Sequence, residues 1–110
     1  MNIEKLINQI KLRPEMFVRE NYNLTNILNY LYGFQAAKFV YHLQDEVDKA
    51  YNDYFFEFVK NELEKKYCVI LNPCSEYGDL ICQVHDEAKQ QIDEFFELSE
   101  NFFQKIKKNK

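Results

Sequence analysis

Apolar residues recur at intervals of three and four along most of this chain, which is the spacing of amphipathic α-helices. The first stripe predicts a short helix over residues 2–12, and Pro14 ends it because the residue before a proline avoids helical angles. Asn23 is a suitable N-cap for a second helix. The apolar stripe of this second helix consists of Leu24, Ile27, Leu28, Leu31, Tyr32, Ala36, Phe39, Val40 and Leu43.

A glycine, Gly33, interrupts the second predicted helix. Glycine inside a helix costs about 1 kcal/mol relative to alanine. We therefore expect another helix to approach closely at Gly33, and the alternative is a tolerated glycine without a role.

The second half of the chain continues the helical pattern. A third helix, ending near Tyr67, has the stripe Tyr51, Tyr54, Phe55, Phe58, Val59 and Leu63. One further face extends over Leu80, Ile81, Val84, Ala88, Ile92, Phe95, Phe96, Ser99, Phe102, Phe103 and Ile106. This face fits one long helix or two, and we favour two with a break near His85. The pattern predicts an all-α, single-domain bundle of four to five helices with short connections over residues 1–110.

Two connections are apolar enough to be ordered. Residues 15–22 include Met16, Phe17 and Tyr22, which we expect to be buried. Residues 68–78 contain a proline and a glycine that break the helical pattern, and we interpret them as a buried loop because a lone strand would have no partner.

Composition narrows the class of protein. The chain has ten Phe, eight Tyr, two Gly and two Pro, which argues against a turn-rich all-β fold. It has no apolar run of about 18 residues, so we exclude a membrane span, and its N-terminus lacks a signal-peptide core. These features predict a cytoplasmic protein. Its cysteines, Cys68, Cys74 and Cys82, match no common zinc spacing, and we expect reduced, mostly buried thiols.

Charge is concentrated in two acidic segments, although the formal net charge is only −4. Residues 41–64 hold seven acids against two lysines, and residues 86–100 hold six acids against one lysine. Such segments should repel nucleic acid and attract basic partners. The lysines near the C-terminus suit a helix C-terminus, where positive charge complements the dipole.

We find no catalytic constellation in the sequence. His42 and His85 lack spaced metal-ligand motifs, Ser75 lacks a glycine elbow, and two glycines cannot form a phosphate-binding loop. We therefore expect no enzyme activity and no cofactor. The tyrosines outside the apolar stripes are the better candidates for an interface, since tyrosine is enriched where proteins dock. They are Tyr30, Tyr41 and Tyr77.

A resemblance adds to this interpretation. The residues that carry it are Arg13–Pro14–Glu15–Met16–Phe17, Asn23–Leu24, Leu28, Leu31, Gly33, Phe34 and Ala37, followed by Phe55–Phe58–Val59 and Ala88…Phe95–Phe96–Leu98…Phe102. The pattern resembles small cytoplasmic immunity proteins of bacterial polymorphic-toxin and contact-dependent growth inhibition systems. Glu15 replaces the glycine of that family, Phe17 and Phe34 replace tyrosines, and the tryptophan expected before the last helices is absent.

The resemblance implies an antitoxin that binds and neutralises a cognate toxin, often a nuclease with a basic cleft, by occluding its active site. The acidic segments supply the candidate partner-binding residues, which are Asp45, Glu46, Asp48, Asp53 and Glu57, then Asp93, Glu97 and Glu100. The last three, spaced i, i+4 and i+7, should lie on one helix face opposite the Phe stripe. Two alternatives stay open: a helical adaptor or regulatory subunit unrelated to toxins, and a small enzyme or metal sensor that uses the cysteines and histidines.

Overall fold

The computed structural model describes residues 1–17 and 22–108. Within these ranges the regular structure is entirely helical, which confirms the predicted all-α class. The elements are α1 (Ile3–Leu12), a 3-10 turn (Pro14–Met16), α2 (Leu24–Val40), α3 (Glu46–Tyr67), α4 (Tyr77–Val84) and α5 (Ala88–Lys108). None of the described helices is long and apolar enough to cross a membrane.

The helix ends follow local chemistry. The Asn2 side chain accepts a hydrogen bond from the Lys5 N–H at the start of α1, and Asn23 accepts one from Asn26 at the start of α2, as predicted. Asp45 caps α3, which ends at Cys68, a residue in the left-handed conformation with φ of 54°. The preferred break in the last stripe is also confirmed, because α4 ends at Val84 and α5 begins at Ala88.

The core lies where α1 and α3 pack against α5, with α2 and α4 closing its sides. Aromatic rings of α3 and α5 fill its centre: Phe55 lies edge-on to Phe95 and Phe102, and Tyr51 stacks on Phe103. Because Tyr51 meets Phe103 while Lys66 meets Glu94, α3 and α5 run antiparallel. Ion pairs from Glu4 to Lys107 and from Lys11 to Glu100 show that α1 is antiparallel to α5 as well.

Several predicted positions in α2 are exposed instead of buried. Leu24, Ile27, Leu28 and Leu31 form the buried face as expected, but the stripe fails after Leu31. The exposed residues of the predicted stripe are Ala36, Phe39, Val40 and Leu43. The packed face of α2 continues instead through Phe34, Gln35 and Lys38, which are half-buried, whereas Ala36 and Val40 lie on the opposite side of the helix.

The close packing that was predicted at Gly33 occurs at the other glycine, Gly78. A Cβ added at Gly33 would meet no atom within 4 Å, so the predicted close approach of a second helix within this chain is wrong. At Gly78, by contrast, a Cβ would lie 2.5 Å from Leu28 Cδ1. The close contact is therefore made by α4 against α2.

Other burial predictions also fail at the edges of the bundle. Met16, Tyr22 and Tyr54 are exposed, and Ile70 in the supposed buried loop is 93% exposed, although Leu71 is buried. The cysteines were expected to be mostly buried, but Cys68 and Cys82 are exposed and Cys74 is half-buried. Cys68 follows the last turn of α3 and Cys82 lies on the outer face of α4, where no other helix covers them.

Candidate functional site

The first set of candidate acids begins at the N-terminus of α3, and some of its members stabilise the fold. The set consists of Asp45, Glu46, Asp48, Asp53 and Glu57. Asp45 and Asp48 form a capping box, in which each carboxylate accepts a hydrogen bond from the backbone N–H of the other residue. Asp48 is only 4% exposed. Its carboxylate also accepts from the Ile3 N–H at 2.8 Å and pairs with Lys38 Nζ at 3.2 Å. Asp48 thus joins α1, α2 and α3 and is not presented on the surface.

Asp45 lies at the edge of this network and is exposed. Partial burial raises the pKa of its carboxyl, but hydrogen bonds from the Asp48 N–H and the Asn2 amide outweigh burial and hold that pKa below its usual value. Glu46, next in sequence, is also exposed. The Asp45 carboxylate therefore stays charged at neutral pH, and both side chains are exposed.

Asp53 and Glu57 extend the first set along the outer face of α3. They lie four residues apart, about one helical turn, on the side opposite the buried residues of that helix. Both are exposed, and neither forms an ion pair with another residue of the described ranges. We call this pair the α3 acidic pair.

The second acidic set lines a groove beside α5. Asp93, Glu97 and Glu100 are exposed and border the same depression, so their predicted common face is confirmed. The groove has a volume of about 600 Å³. Its walls come from α1, α5 and the residue just before α2. The lining residues are Lys11, Tyr22, Ala88, Lys89, Ile92, Asp93, Phe96, Glu97 and Glu100.

The floor of this groove is apolar and its rim is charged. Ile92 and Phe96 are buried beneath the rim, while Tyr22 forms one wall. Burial and, to a smaller extent, the carboxylate of Asp93 raise the pKa of the Tyr22 hydroxyl, which stays protonated at neutral pH. The groove therefore offers apolar contact below and carboxylate oxygens above, and we call it the α5 groove.

Two of the three rim carboxylates have weak partners within the chain. Glu100 pairs with Lys11 at 3.9 Å and Glu97 with Lys66 at 3.5 Å, with all four side chains well exposed. Exposed pairs of this kind contribute about 0–1 kcal/mol, so a basic side chain from outside can replace the lysine at little cost. Asp93 forms no ion pair with any described residue.

The structure does not bring the two acidic sets together. Asp48 lies near the start of α3, whereas Lys66, which contacts Glu97, lies near its end. Asp48 and Lys66 are 18 positions apart in α3, which corresponds to about 27 Å at 1.5 Å per residue. The two sets therefore form separate surfaces.

A buried polar cluster between α3 and α5 was not predicted from the sequence. Glu94 is 3% exposed and its carboxylate accepts hydrogen bonds from the Tyr67 hydroxyl, from Lys66 Nζ at 3.1 Å and from His85 Nε2 at 3.1 Å. Burial raises the pKa of Glu94, but these donors outweigh burial and lower it below its usual value. Burial and the bond to Glu94 raise the pKa of Tyr67.

This cluster joins α3, the end of α4 and α5 through one carboxylate. Two donors come from the end of α3 and the third, His85, follows α4, and Glu94 looks in sequence like the other acids of its segment. The only sequence signal is its position, between the core residues Ile92 and Phe95 and four residues before Leu98. The described residues include no group of three or more His, Cys, Asp or Glu side chains placed to hold a metal ion.

Of the three tyrosines predicted to lie at an interface, two are exposed and one is buried. Tyr30 and Tyr41 are exposed as expected, whereas Tyr77 is buried and its hydroxyl accepts a hydrogen bond from the Tyr51 hydroxyl at 2.9 Å.

A scan of the chain against protein-family models found no match, and searches among curated proteins and solved structures likewise found none.

Proposed function

We propose that this chain is an immunity protein, which binds a cognate bacterial toxin in the cytoplasm and neutralises it by occluding its active site. The resemblance of residues 12–39 to immunity proteins of contact-dependent inhibition systems suggested this function. The observation that carries it is the α5 groove, with the exposed carboxylates of Asp93, Glu97 and Glu100 above the buried side chains of Ile92 and Phe96.

The chemistry of the α5 groove suits a lysine or arginine side chain from the partner. Such a side chain has an apolar stem that would lie on Ile92 and Phe96 and a charged head that would meet the rim carboxylates. Hydrogen bonds between a guanidinium and carboxylates are among the stronger polar contacts in proteins. A nuclease carries basic residues of this kind in its substrate cleft, because it binds phosphates.

Charge also favours rapid capture of a basic toxin. The net charge of −4 and the exposed acids of α5 attract a positive surface over roughly the Debye length, about 8 Å at physiological salt. Complementary charges increase association rates more than they increase final affinity. We therefore expect binding to weaken as salt rises, chiefly through slower association.

The experiment compares charge reversal on the two acidic surfaces. Asp93→Lys with Glu100→Lys changes the α5 groove, and Asp53→Lys with Glu57→Lys changes the α3 acidic pair by the same four units of charge. The ligand is the toxin domain that the proposal expects the gene immediately upstream to encode. Binding is measured by titration calorimetry at low and physiological salt, and protection is measured by growth of cells that express the toxin.

We expect the groove variant to bind about 100-fold more weakly, because reversing each of the two rim charges should cost about 1.4 kcal/mol of binding free energy. The α3 variant should lose less than about fivefold, through the change in net charge alone. Loss of protection only in the α3 variant would place the interface on α3 instead. Full protection by both variants, or no binding by the wild-type chain, would refute the proposal.

A further inference from the structure

The exposed face of α2 carries no charged side chain, which is unusual for a helix at a protein surface. Lys38 is the only charged residue among the 17 residues of α2. Its Nζ donates to the carbonyl oxygen of Met1 at 2.9 Å and pairs with Asp48, so this charge is turned toward the bundle. The exposed face of a surface helix normally carries charged residues.

Exposed residues of α2 form a continuous strip on the side opposite its buried face. They are Asn29, Tyr30, Gly33, Ala36, Ala37 and Val40, which we call the α2 strip. Gly33 and Ala37 lie one turn apart at its centre, and the space above Gly33 is open. Small residues at the centre allow the axis of another helix to approach to the short end of the usual 8–10 Å range.

We propose that the α2 strip is a dimer interface, on which α2 of a second copy of this chain packs in antiparallel orientation. A twofold axis halfway between Gly33 and Ala37 places Gly33 against Ala37 of the second copy. The same axis places Tyr30 against Val40 of the second copy. Small residues then face small residues at the centre, and larger apolar residues face each other at both ends.

Charge selects a second copy over the basic partner that the α5 groove suits. Each chain has a net charge of −4, so most pairs of surfaces on two copies repel each other. The α2 strip avoids this repulsion because both faces are uncharged. A lysine-rich or arginine-rich surface, by contrast, would find no carboxylate on the strip and would lose hydration there.

The exposed apolar area is enough for a concentration-dependent dimer. Tyr30 of the strip and Tyr41, which follows Val40 on the same side, are 42% and 71% exposed, which leaves roughly 230 Å² of aromatic surface per chain at about 200 Å² for each ring. Two copies supply about 450 Å² from these rings, and Val40 and the alanines of the strip add to it, so the interface belongs to the class below about 1,200 Å² that forms weak complexes. No residue of the α2 strip lines the α5 groove, which stays open in the dimer.

Sedimentation equilibrium of the full chain tests this inference between about 5 and 500 µM, a range that spans weak association. We expect the apparent mass to rise from 13.4 kDa to twice that value with concentration. Ala37→Glu places two like charges about 6 Å apart along the helix at the axis, and Val40→Lys buries a charge against Tyr30 of the second copy, so both variants should remain monomeric throughout. Gln90→Glu, which adds the same charge as Ala37→Glu at an exposed position of α5, should dimerise like the wild type.

A wild-type chain that stays monomeric at the highest concentration overturns the proposal. Dimerisation of Ala37→Glu and Val40→Lys at wild-type strength overturns it equally. The toxin titration separates this inference from the proposed function, because a monomeric Ala37→Glu variant should still bind and neutralise the toxin. If the wild type is monomeric and Ala37→Glu alone loses the toxin, the strip belongs to the toxin interface and no dimer exists.

Discussion

Alanine at the two glycines should shift the stability of this protein in opposite directions. Gly78→Ala places a methyl group 2.5 Å from Leu28 Cδ1, whereas apolar carbons prefer about 3.5–4.0 Å. Leu28 is buried in the core, so it cannot move by about 1 Å without displacing its neighbours. Gly33→Ala adds a methyl group to open space on a helix surface.

The magnitudes follow from these two environments. Overpacking a core contact costs about 1–3 kcal/mol, and alanine returns less than about 1 kcal/mol because Gly78 lies in the first turn of α4. We expect a net loss of about 1–2 kcal/mol in the free energy of unfolding for Gly78→Ala. For Gly33→Ala we expect a gain of about 1 kcal/mol, since only the helix propensity changes.

Urea unfolding followed by circular dichroism at low micromolar concentration measures both changes. With an m-value of about 1–1.5 kcal/mol/M, the two midpoints should lie on opposite sides of the wild type and about 2 M apart. Leu28→Ala combined with Gly78→Ala completes a double-mutant cycle, in which removal of Cδ1 should recover at least about 1 kcal/mol. Equal midpoints for the two glycine variants, or strict additivity with Leu28→Ala, would refute this reasoning.

Three further predictions concern buried charge, backbone strain and thiol access. Glu94→Gln should lower the free energy of unfolding by about 1–3 kcal/mol at pH 7. Because the folded-state pKa of Glu94 is below its usual 4.5, the contribution of its charge is complete at neutral pH and is lost as the pH falls below that value, so wild type and variant should converge in acid urea titrations. Cys68→Gly should stabilise by about 1 kcal/mol, with Cys68→Ala as the neutral control, because Cys68 has a φ of 54°. In native protein at pH 8, a thiol reagent should label Cys68 faster than Cys82, since burial and then Asp79 raise the pKa of Cys82; equal rates would contradict that ordering.

The sequence was sufficient to predict the helices because each has a local signal. Asn23 capped the predicted helix, and the three acids of α5 lay on one face, since both features depend only on residues within four positions. The failures required knowledge of the neighbours. In α2 the spacing after Leu31 fits more than one helix face, and only the neighbouring helices select the face with Phe34 and Lys38 over the one with Ala36 and Val40.

The roles of the candidate acids also depend on neighbours that are distant in sequence. Asp48 and Asp53 look alike in sequence, yet one is enclosed by Ile3, Lys38 and Asp45 while the other is exposed to solvent. Glu94 gains two donors from the end of α3 and one from His85 after α4, which no local pattern specifies. Only tertiary contacts separate acids that hold the fold from acids that can meet a partner.

The antiparallel pairing of the first and last helices affects how the chain matures during synthesis. The apolar face of α1, with Ile3, Ile7 and Ile10, is covered in part by α5. The ribosome releases α1 before α5, so the part of this face that α5 covers stays exposed to water until α5 has been synthesised. A polypeptide that ends before α5 would leave this apolar surface exposed. Chaperones or proteases should therefore recognise such fragments and not the folded protein.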